Sequence, residues 1–283
     1  MRYNYPLWTK LPYAGQDHPP KNPVNPYAGS WPLNYLKQEK HGFTTLDGEP
    51  IKLKLKDPRK IDWKKELKQV QRIVKHLTKE QIRIAKFWAE GPPSKQWTPI
   101  ADILIDTYNV TPPYAAGILA ALSAGMNDAL VVTWYLKYLA LVPRPNQFDP
   151  KLATIVCTPN FPAYPSGHSV LSGTAEVILS YFFPTEREGL HQLAEEDALS
   201  RLYAGVHFNV DNEEGLRLGR QIGKIVINQL SQERDAKGKY IDIPYTEHRN
   251  AKLFPPPYIQ AIPFDFDTKC SSLVIDEISE KKR

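Results

Sequence analysis

From about residue 61 onward, apolar residues recur at intervals of three and four with polar residues filling the faces between them, which is the period of helices that each bury one stripe. The pattern predicts seven helices. They are "WKKELKQVQRIVKHL" from Trp63, "KEQIRIAKFWAE" from Lys79, "WTPIADILIDTY" from Trp97, and the runs 114–142, 166–183, 186–202 and 212–230. Sheet signal is confined to "FTTLDGEPIKLKLK", where Asp47-Gly48 separates two short stretches of β-type residues and reads as a hairpin turn. The expected fold is therefore all-α, a helical bundle over residues 61–235. Residues 1–60, crowded with proline and aromatics, read as an extended arm anchored on that bundle by its Tyr and Trp side chains. Residues 236–283 read as an irregular tail whose end, "DEISEKKR", is expected to be disordered.

Composition narrows the class without naming a chemistry. With 42% hydrophobic and 24% charged residues the chain is that of a folded soluble protein. A net charge of +5 suits a small anionic partner and falls short of a nucleic-acid-binding surface. The basic run from Lys52 to Lys68 reads as a solvated helix face. No apolar core of signal-peptide length opens the chain. In the most apolar segment, 115–143, Asn127, Asp128 and Lys137 leave runs too short to cross a bilayer. The expectation is a buried helix, no membrane span and a cytoplasmic location. Two cysteines, Cys157 and Cys270, cannot form a disulfide framework; two free thiols are the expectation, with a single bridge between them left open.

Three stretches carry candidate chemistry. In "FPAYPSGHSVLSG", Ser166 opens a helix as an ordinary cap would; His168 taken alone reads equally as a surface histidine or a functional one. In "KYLALVPRP", Lys137 and Arg144 are seven residues apart, so both side chains are expected on one helix face, with the prolines ending the helix at the arginine. A basic helix end opposite the macrodipole would look the same. In "SRLYAGVHFNVDNEEG", a helix is expected to start at Asp211 or Asn212, backed by Glu214, placing His207 ahead of an N-terminus where anions bind. Asp211 could accept from one ring nitrogen of His207 and leave the other free, or could be a cap beside an unrelated histidine.

Together these stretches supply a Lys, two Arg (Arg144 and Arg201), Ser166 and the Gly167 amide as donors to an oxyanion, with two histidines beside it. Competing chemistries fit less well. The chain has no H-E-x-x-H zinc motif, no Walker loop and no G-x-G-x-x-G. Ser166 has Tyr164 and His168 where a hydrolase elbow needs glycines.

In order and spacing the residues match K-x6-R-P, P-S-G-H and S-R-x5-H-x3-D. This resembles the superfamily of type 2 phosphatidic acid phosphatases, bacterial acid phosphatases and vanadium-dependent haloperoxidases, and the helices over 80–230 look like that family's bundle. The resemblance implies that Lys137, Arg144, Ser166, Gly167 and Arg201 hold the oxygens of phosphate or vanadate. It further implies that His207 bonds to phosphorus or vanadium, that Asp211 orients His207, and that His168 is the general acid or base. "PNFPAYPSGH" is similar to the chloroperoxidase form of the motif, which also implies Phe161 and Trp134 as pocket-lining residues, although core packing is the commoner use of aromatics. The fungal and algal haloperoxidases are much longer, and the Pro-rich arm has no counterpart among them. The activity so implied is vanadate-dependent oxidation of halide by hydrogen peroxide. The alternatives are a soluble acid phosphatase that hydrolyses phosphomonoesters through a phosphohistidine without a cofactor, and a non-catalytic anion-binding domain. No nucleic-acid partner is expected, and a homo-oligomer stays open.

Overall fold

Three glycines spaced four apart on one helix decide how the bundle closes. The computed structural model describes residues 3–40, 42–263 and 270–275; the terminal "DEISEKKR" lies outside them. Among the described residues there are eight α-helices: α1 Trp63–Lys75, α2 Lys79–Ala89, α3 Ser94–Thr107, α4 Pro112–Ala140, α5 Pro145–Phe148, α6 Gly167–Phe182, α7 Arg187–Tyr203 and α8 Asn209–Leu230. Gly215, Gly219 and Gly223 form a ridge of α8 that lies directly on α6. A Cβ at Gly219 would stand 2.0 Å from the Val170 carbonyl oxygen. So close an approach sets α6 at the centre, with α4, α7 and α8 around it.

The main core joins Trp88, Trp97, Leu104, Leu122, Leu171, Ile178 and Leu193 across five helices. A second cluster gathers Tyr5, Trp63, Tyr164 and Phe208, so the arm and α1 cover the start of α8. The arm is anchored as its composition suggests: Tyr5, Trp8 and Tyr13 are buried, and the Trp8 and Ala14 amides donate to the Leu141 and Asn146 carbonyls. Farther along, the arm is held by Asp128 on α4. This carboxylate, with no exposure, accepts from the Asn34 and Tyr35 amides and the Asn34 side chain.

Four expectations are corrected here. The sheet is larger than a hairpin: β2 Gly42–Thr44 and β3 Pro50–Ile51 flank the Asp47-Gly48 turn, and β1 Lys37–Glu39 pairs antiparallel with β2. β1 is exposed throughout and has no apolar alternation to betray it.

The apolar stretch is also longer than expected. Residues Pro112–Phe148 contain a window of mean hydropathy 1.6, long and apolar enough to cross a membrane by length and composition. Asp128 and Lys137 do not interrupt it because both are hydrogen-bonded inside the protein. Half of that window is buried in the bundle.

Of the two states left open for the cysteines, the structure has the bridge and not the expected free thiols: Cys157 and Cys270 are paired, with Cα atoms 5.1 Å apart. Residues 272–275 run beside 154–158, where the Thr154 amide donates to Leu273 O and the Ile275 amide to Thr154 O. A sequence separation of 113 residues hides that pairing from sequence inspection. It also removes the free-thiol argument for a cytosolic location, since disulfides persist in oxidising compartments.

Finally, Lys137 and Arg144 do not share a helix face. Leu141 takes a left-handed conformation at φ 50° and ends α4, so Arg144 stands in a loop, capping α5.

Candidate active site

Lys137 lies in the last turn of α4 with no exposure, and its Nζ donates to the Pro162 and Ala163 carbonyls at 2.9 and 2.7 Å. An ammonium has three donors, so one remains. Arg144 arrives from the loop instead. Its backbone N–H donates to Gln147 Oε1, Nε donates to Phe161 O, and Nη1 donates to Val206 O and to His207 Nε2 at 2.8 Å. Both cations meet the Phe161 ring, Lys137 Nζ at 5.2 Å and the Arg144 guanidinium carbon at 4.8 Å from its centroid. Trp134 also packs on that ring, 4.8 Å between centroids.

The α6 N-terminus supplies the neutral donors. Ser166 is its N-cap residue, yet its side chain makes no capping bond. Its Oγ is buried without a partner, while its amide donates to Asp211 O. The capping explanation of Ser166 therefore fails. Gly167 follows; a Cβ there would lie 3.7 Å from the Trp134 ring and 3.9 Å from Lys137 Cε, so a side chain would crowd the space beside the ammonium. One residue on, His168 Nε2–H donates to the Trp88 carbonyl at 3.0 Å. That bond fixes the tautomer and leaves Nδ1 with its lone pair.

His207 follows Gly205, whose φ of 75° turns the chain off the end of α7. Helix α8 begins at Asn209, earlier than expected, so Asp211 lies within its first turn. Asp211 Oδ2 accepts from the Phe208 amide at 3.0 Å and from His207 Nδ1 at 2.9 Å. Glu214 does not back the helix start but accepts from the Lys56 amide. With Nδ1 donating to a carboxylate and Nε2 accepting from Arg144, His207 is the neutral Nδ1–H tautomer. Burial, with the Arg144 and Lys137 charges, holds its ring well below the usual histidine range. Burial and then Arg201 do the same to His168.

Arg201 completes the cradle from α7, where Nε donates to Ser200 Oγ and Nη2 to Ala85 O. Burial lowers both Arg144 and Arg201 to about 10, and Lys137 is pushed down by burial and by Arg144. Burial raises the Asp211 carboxyl, opposed by the Phe208 amide and by Lys137 and Arg144. Three buried cations thus face two buried carboxylates, Asp211 and, 4.0 Å from Arg201, Asp197. That imbalance favours a bound anion.

The structure brings together all ten residues singled out from the sequence: Lys137, Arg144, Ser166, Gly167, His168, Arg201, His207, Asp211, Trp134 and Phe161. Sequence reasoning missed their supports, namely Gln147, Asn160, Ser172, Asp197 and the Trp88 carbonyl. Among these Asp197 had a signal, a carboxylate one helical turn before Arg201. Arg144 Nη2 is buried with no partner, like Ser166 Oγ. These two unpaired buried donors, with the remaining donor of Lys137 and with His207 Nε2 held by Arg144 Nη1, fit a tetrahedral oxyanion such as vanadate or phosphate.

No protein of curated function matches the sequence. The PAP2 superfamily profile matches residues 115–235, which include every one of these site residues. A bacterial vanadium-dependent iodoperoxidase superposes with a TM-score of 0.61 at 27% identity, covering 81% of this chain and 62% of that one. The apo and holo forms of a bacterial vanadium-dependent chloroperoxidase superpose at 0.58 and 0.57, with 13% and 12% identity. They cover 80% and 76% of this chain and 63% and 58% of theirs. This chain therefore spans less than two thirds of the length of each of these relatives. The expectation of a helical bundle is met: residues 115–235 match the PAP2 superfamily, and the chain shares the fold of bacterial vanadium-dependent haloperoxidases.

Proposed function

We propose that the chain is a vanadate-dependent haloperoxidase that oxidises halide with hydrogen peroxide. The observation carrying this reading is the Trp134–Phe161 pair packed over Lys137 and Arg144, an apolar, polarisable flank of the kind a soft halide favours. The likeness to an iodoperoxidase at 27% identity supports it and makes iodide the first halide to test.

Vanadate would be held by Lys137, Arg144, Ser166, Gly167 and Arg201 with His207 Nε2 as its ligand, and when bound it supplies the centre at which peroxide becomes reactive toward halide. The protein's own part is electrostatic and protonic. The three cations and the Ser166 hydroxyl stabilise negative oxygen. Asp211 keeps the proton on His207 Nδ1, so that Nε2 carries a lone pair, which accepts from Arg144 Nη1. Converting halide and peroxide to hypohalous acid and water consumes one proton, and His168 Nδ1 is the group available to pass it.

A second reading is favoured by the same His207 geometry: Nε2 could attack a phosphomonoester, with His168 protonating the leaving alcohol. This phosphatase needs no cofactor. One preparation stripped of metals and anions, half of it loaded with orthovanadate, separates the two. Iodide, bromide or chloride oxidation confined to the loaded half and abolished by excess phosphate supports the haloperoxidase. Aryl phosphate hydrolysis in the unloaded half, inhibited by vanadate and without halide turnover, replaces it with the phosphatase.

A further inference from the structure

The arm runs against Trp134 and against Asn160, the residue before Phe161. At Asn22 and Asn25 the backbone turns left-handed, φ 50° and 44°, a conformation asparagine tolerates better than most residues. Between them runs a short strap. Asn160 Nδ2 donates to the carbonyls of Lys21 and Asn22 at 2.7 and 2.9 Å, and the Val24 amide donates back to Asn160 O at 3.0 Å. Val24 O in turn accepts from Trp134 Nε1 at 3.3 Å and Tyr138 OH at 3.0 Å, both on α4. The arm then continues flush against α4, for a Cβ on Gly29 would stand 2.5 Å from the Tyr135 amide nitrogen.

These contacts add a tie from the arm side between two elements that the Lys137 bonds to the Pro162 and Ala163 carbonyls already join. One is α4, which carries Trp134 and Lys137; the other is the loop that carries Phe161 and the carbonyls holding Lys137. Asn160 is the residue next to Phe161, and all three of its strap bonds reach the arm.

We infer that the arm strap 21–24, locked by Asn160, sets the position of the Trp134–Phe161 wall and so controls how small anions reach the cradle. Asn160 is a positioning residue: it touches none of the oxyanion-binding groups and acts through Phe161 and Trp134. This rests on the reading of the cradle as the active site, and the first readout below does not need turnover. Asn160→Asp keeps the size of the side chain but replaces two donated hydrogen bonds with a charge facing two carbonyls, a loss that neighbouring bonds do not offset.

The test compares the chain with its Asn160→Asp variant, each with and without Trp134→Phe, so that Trp134 fluorescence is obtained by difference. Release of the strap exposes the indole N–H edge, and collisional quenching of Trp134 by iodide is expected to rise by about two-fold or more. With orthovanadate loaded, the KM for iodide is expected to change by several-fold while the orthovanadate dissociation constant moves by less than about three-fold, because a small displacement of the Trp134–Phe161 wall alters access before it alters the cradle. Gly29→Ala, which lifts the arm from α4 without touching the loop, should give the same quenching change and serves if Asn160→Asp does not fold. Unchanged Trp134 quenching in folded Asn160→Asp or folded Gly29→Ala overturns the inference. A quenching change in a protein that oxidises no halide leaves the strap standing and removes the haloperoxidase reading instead.

Discussion

Asp197 lies one helical turn before Arg201 with no exposure, and receives hydrogen bonds from Ser172 and Ser200. Burial pushes its carboxyl from 3.8 up to about 6, against the pull of Arg201 and the two hydroxyls. A carboxyl raised in the folded state costs stability as pH rises, beginning near its unfolded value and complete above its folded one. That interval is worth up to about 3 kcal/mol. Asp197→Asn keeps an acceptor for Ser172 and removes the charge, so the variant should gain stability relative to the parent between pH 4 and pH 6. Urea unfolding at closely spaced pH values checks this, and a flat difference would mean that Arg201 compensates the charge completely. The histidines predict a different split. His207→Ala removes the Nε2 ligand and is expected to abolish both orthovanadate binding, measured by calorimetry, and turnover. His168→Ala removes a proton carrier, so turnover should fall by about 10²–10⁴-fold while the orthovanadate dissociation constant changes by less than about ten-fold. Retained turnover in His207→Ala rules out His207 as the reacting residue in both the haloperoxidase and the phosphatase readings. These two histidines were legible in the sequence because their type and spacing carry the chemistry. Asn160 was not, since its meaning depends on a carbonyl 139 residues away.

Helix α8 lies on α6 through backbone contact, and that contact aligns Ser166 and His168 with His207 and Asp211 across the seam. At Gly219 the obstacle to a side chain is the Val170 carbonyl, at 2.0 Å, with the Thr174 amide nitrogen at 2.9 Å. Neither can move without separating the helices. Gly219→Ala is therefore expected to destabilise the chain by about 3 kcal/mol or more, at the upper end of overpacking costs. Gly125 on α4 gives the contrast. A Cβ there meets the tip of the Ile178 side chain at 2.5 Å, which can rotate, and a helix interior gains up to about 1 kcal/mol from Gly→Ala. Gly125→Ala should be within about 1 kcal/mol of the parent in urea, and equal losses in the two variants would refute the backbone-contact argument. The helices themselves were legible because each buries a stripe with its own period. Their ends were less so. Leu141 ends α4 by a left-handed turn that no glycine announces, and α8 starts three residues before Asn212 because the Asp211 carboxylate caps from inside the first turn.

At the scale of the molecule, the bundle fixes the histidines and Arg201, and Arg144 caps α5, whereas Phe161 sits on the connection between α5 and α6 and depends on what binds that connection from outside. The arm strap holds it at Asn160. Near its start it is held by the segment after Cys270, where Ser272 Oγ contacts Thr158 Oγ1 at 3.1 Å and the Leu273 amide reaches back to Ala14 O in the arm. The Cys157–Cys270 disulfide makes that hold covalent and closes a loop with a separation of 113 residues. Sequence length alone could not reveal it, because two cysteines so far apart pair only if the fold returns the tail to that loop. Closing a loop of this length restricts the unfolded chain by about 4–5 kcal/mol in the chain-entropy account. The Cys157→Ser/Cys270→Ser variant should therefore be less stable by a comparable amount, read from urea midpoints with the slope unchanged. The untreated native chain should show no thiol titratable by an aromatic disulfide reagent. Because the bundle does not depend on that bond, the helical circular dichroism of the folded variant should match the parent, while Phe161 loses one of its two outer supports. The variant's iodide KM should then shift in the direction of Asn160→Asp. Unchanged stability together with two titratable thiols in the untreated chain would show that the tail is held by its hydrogen bonds alone.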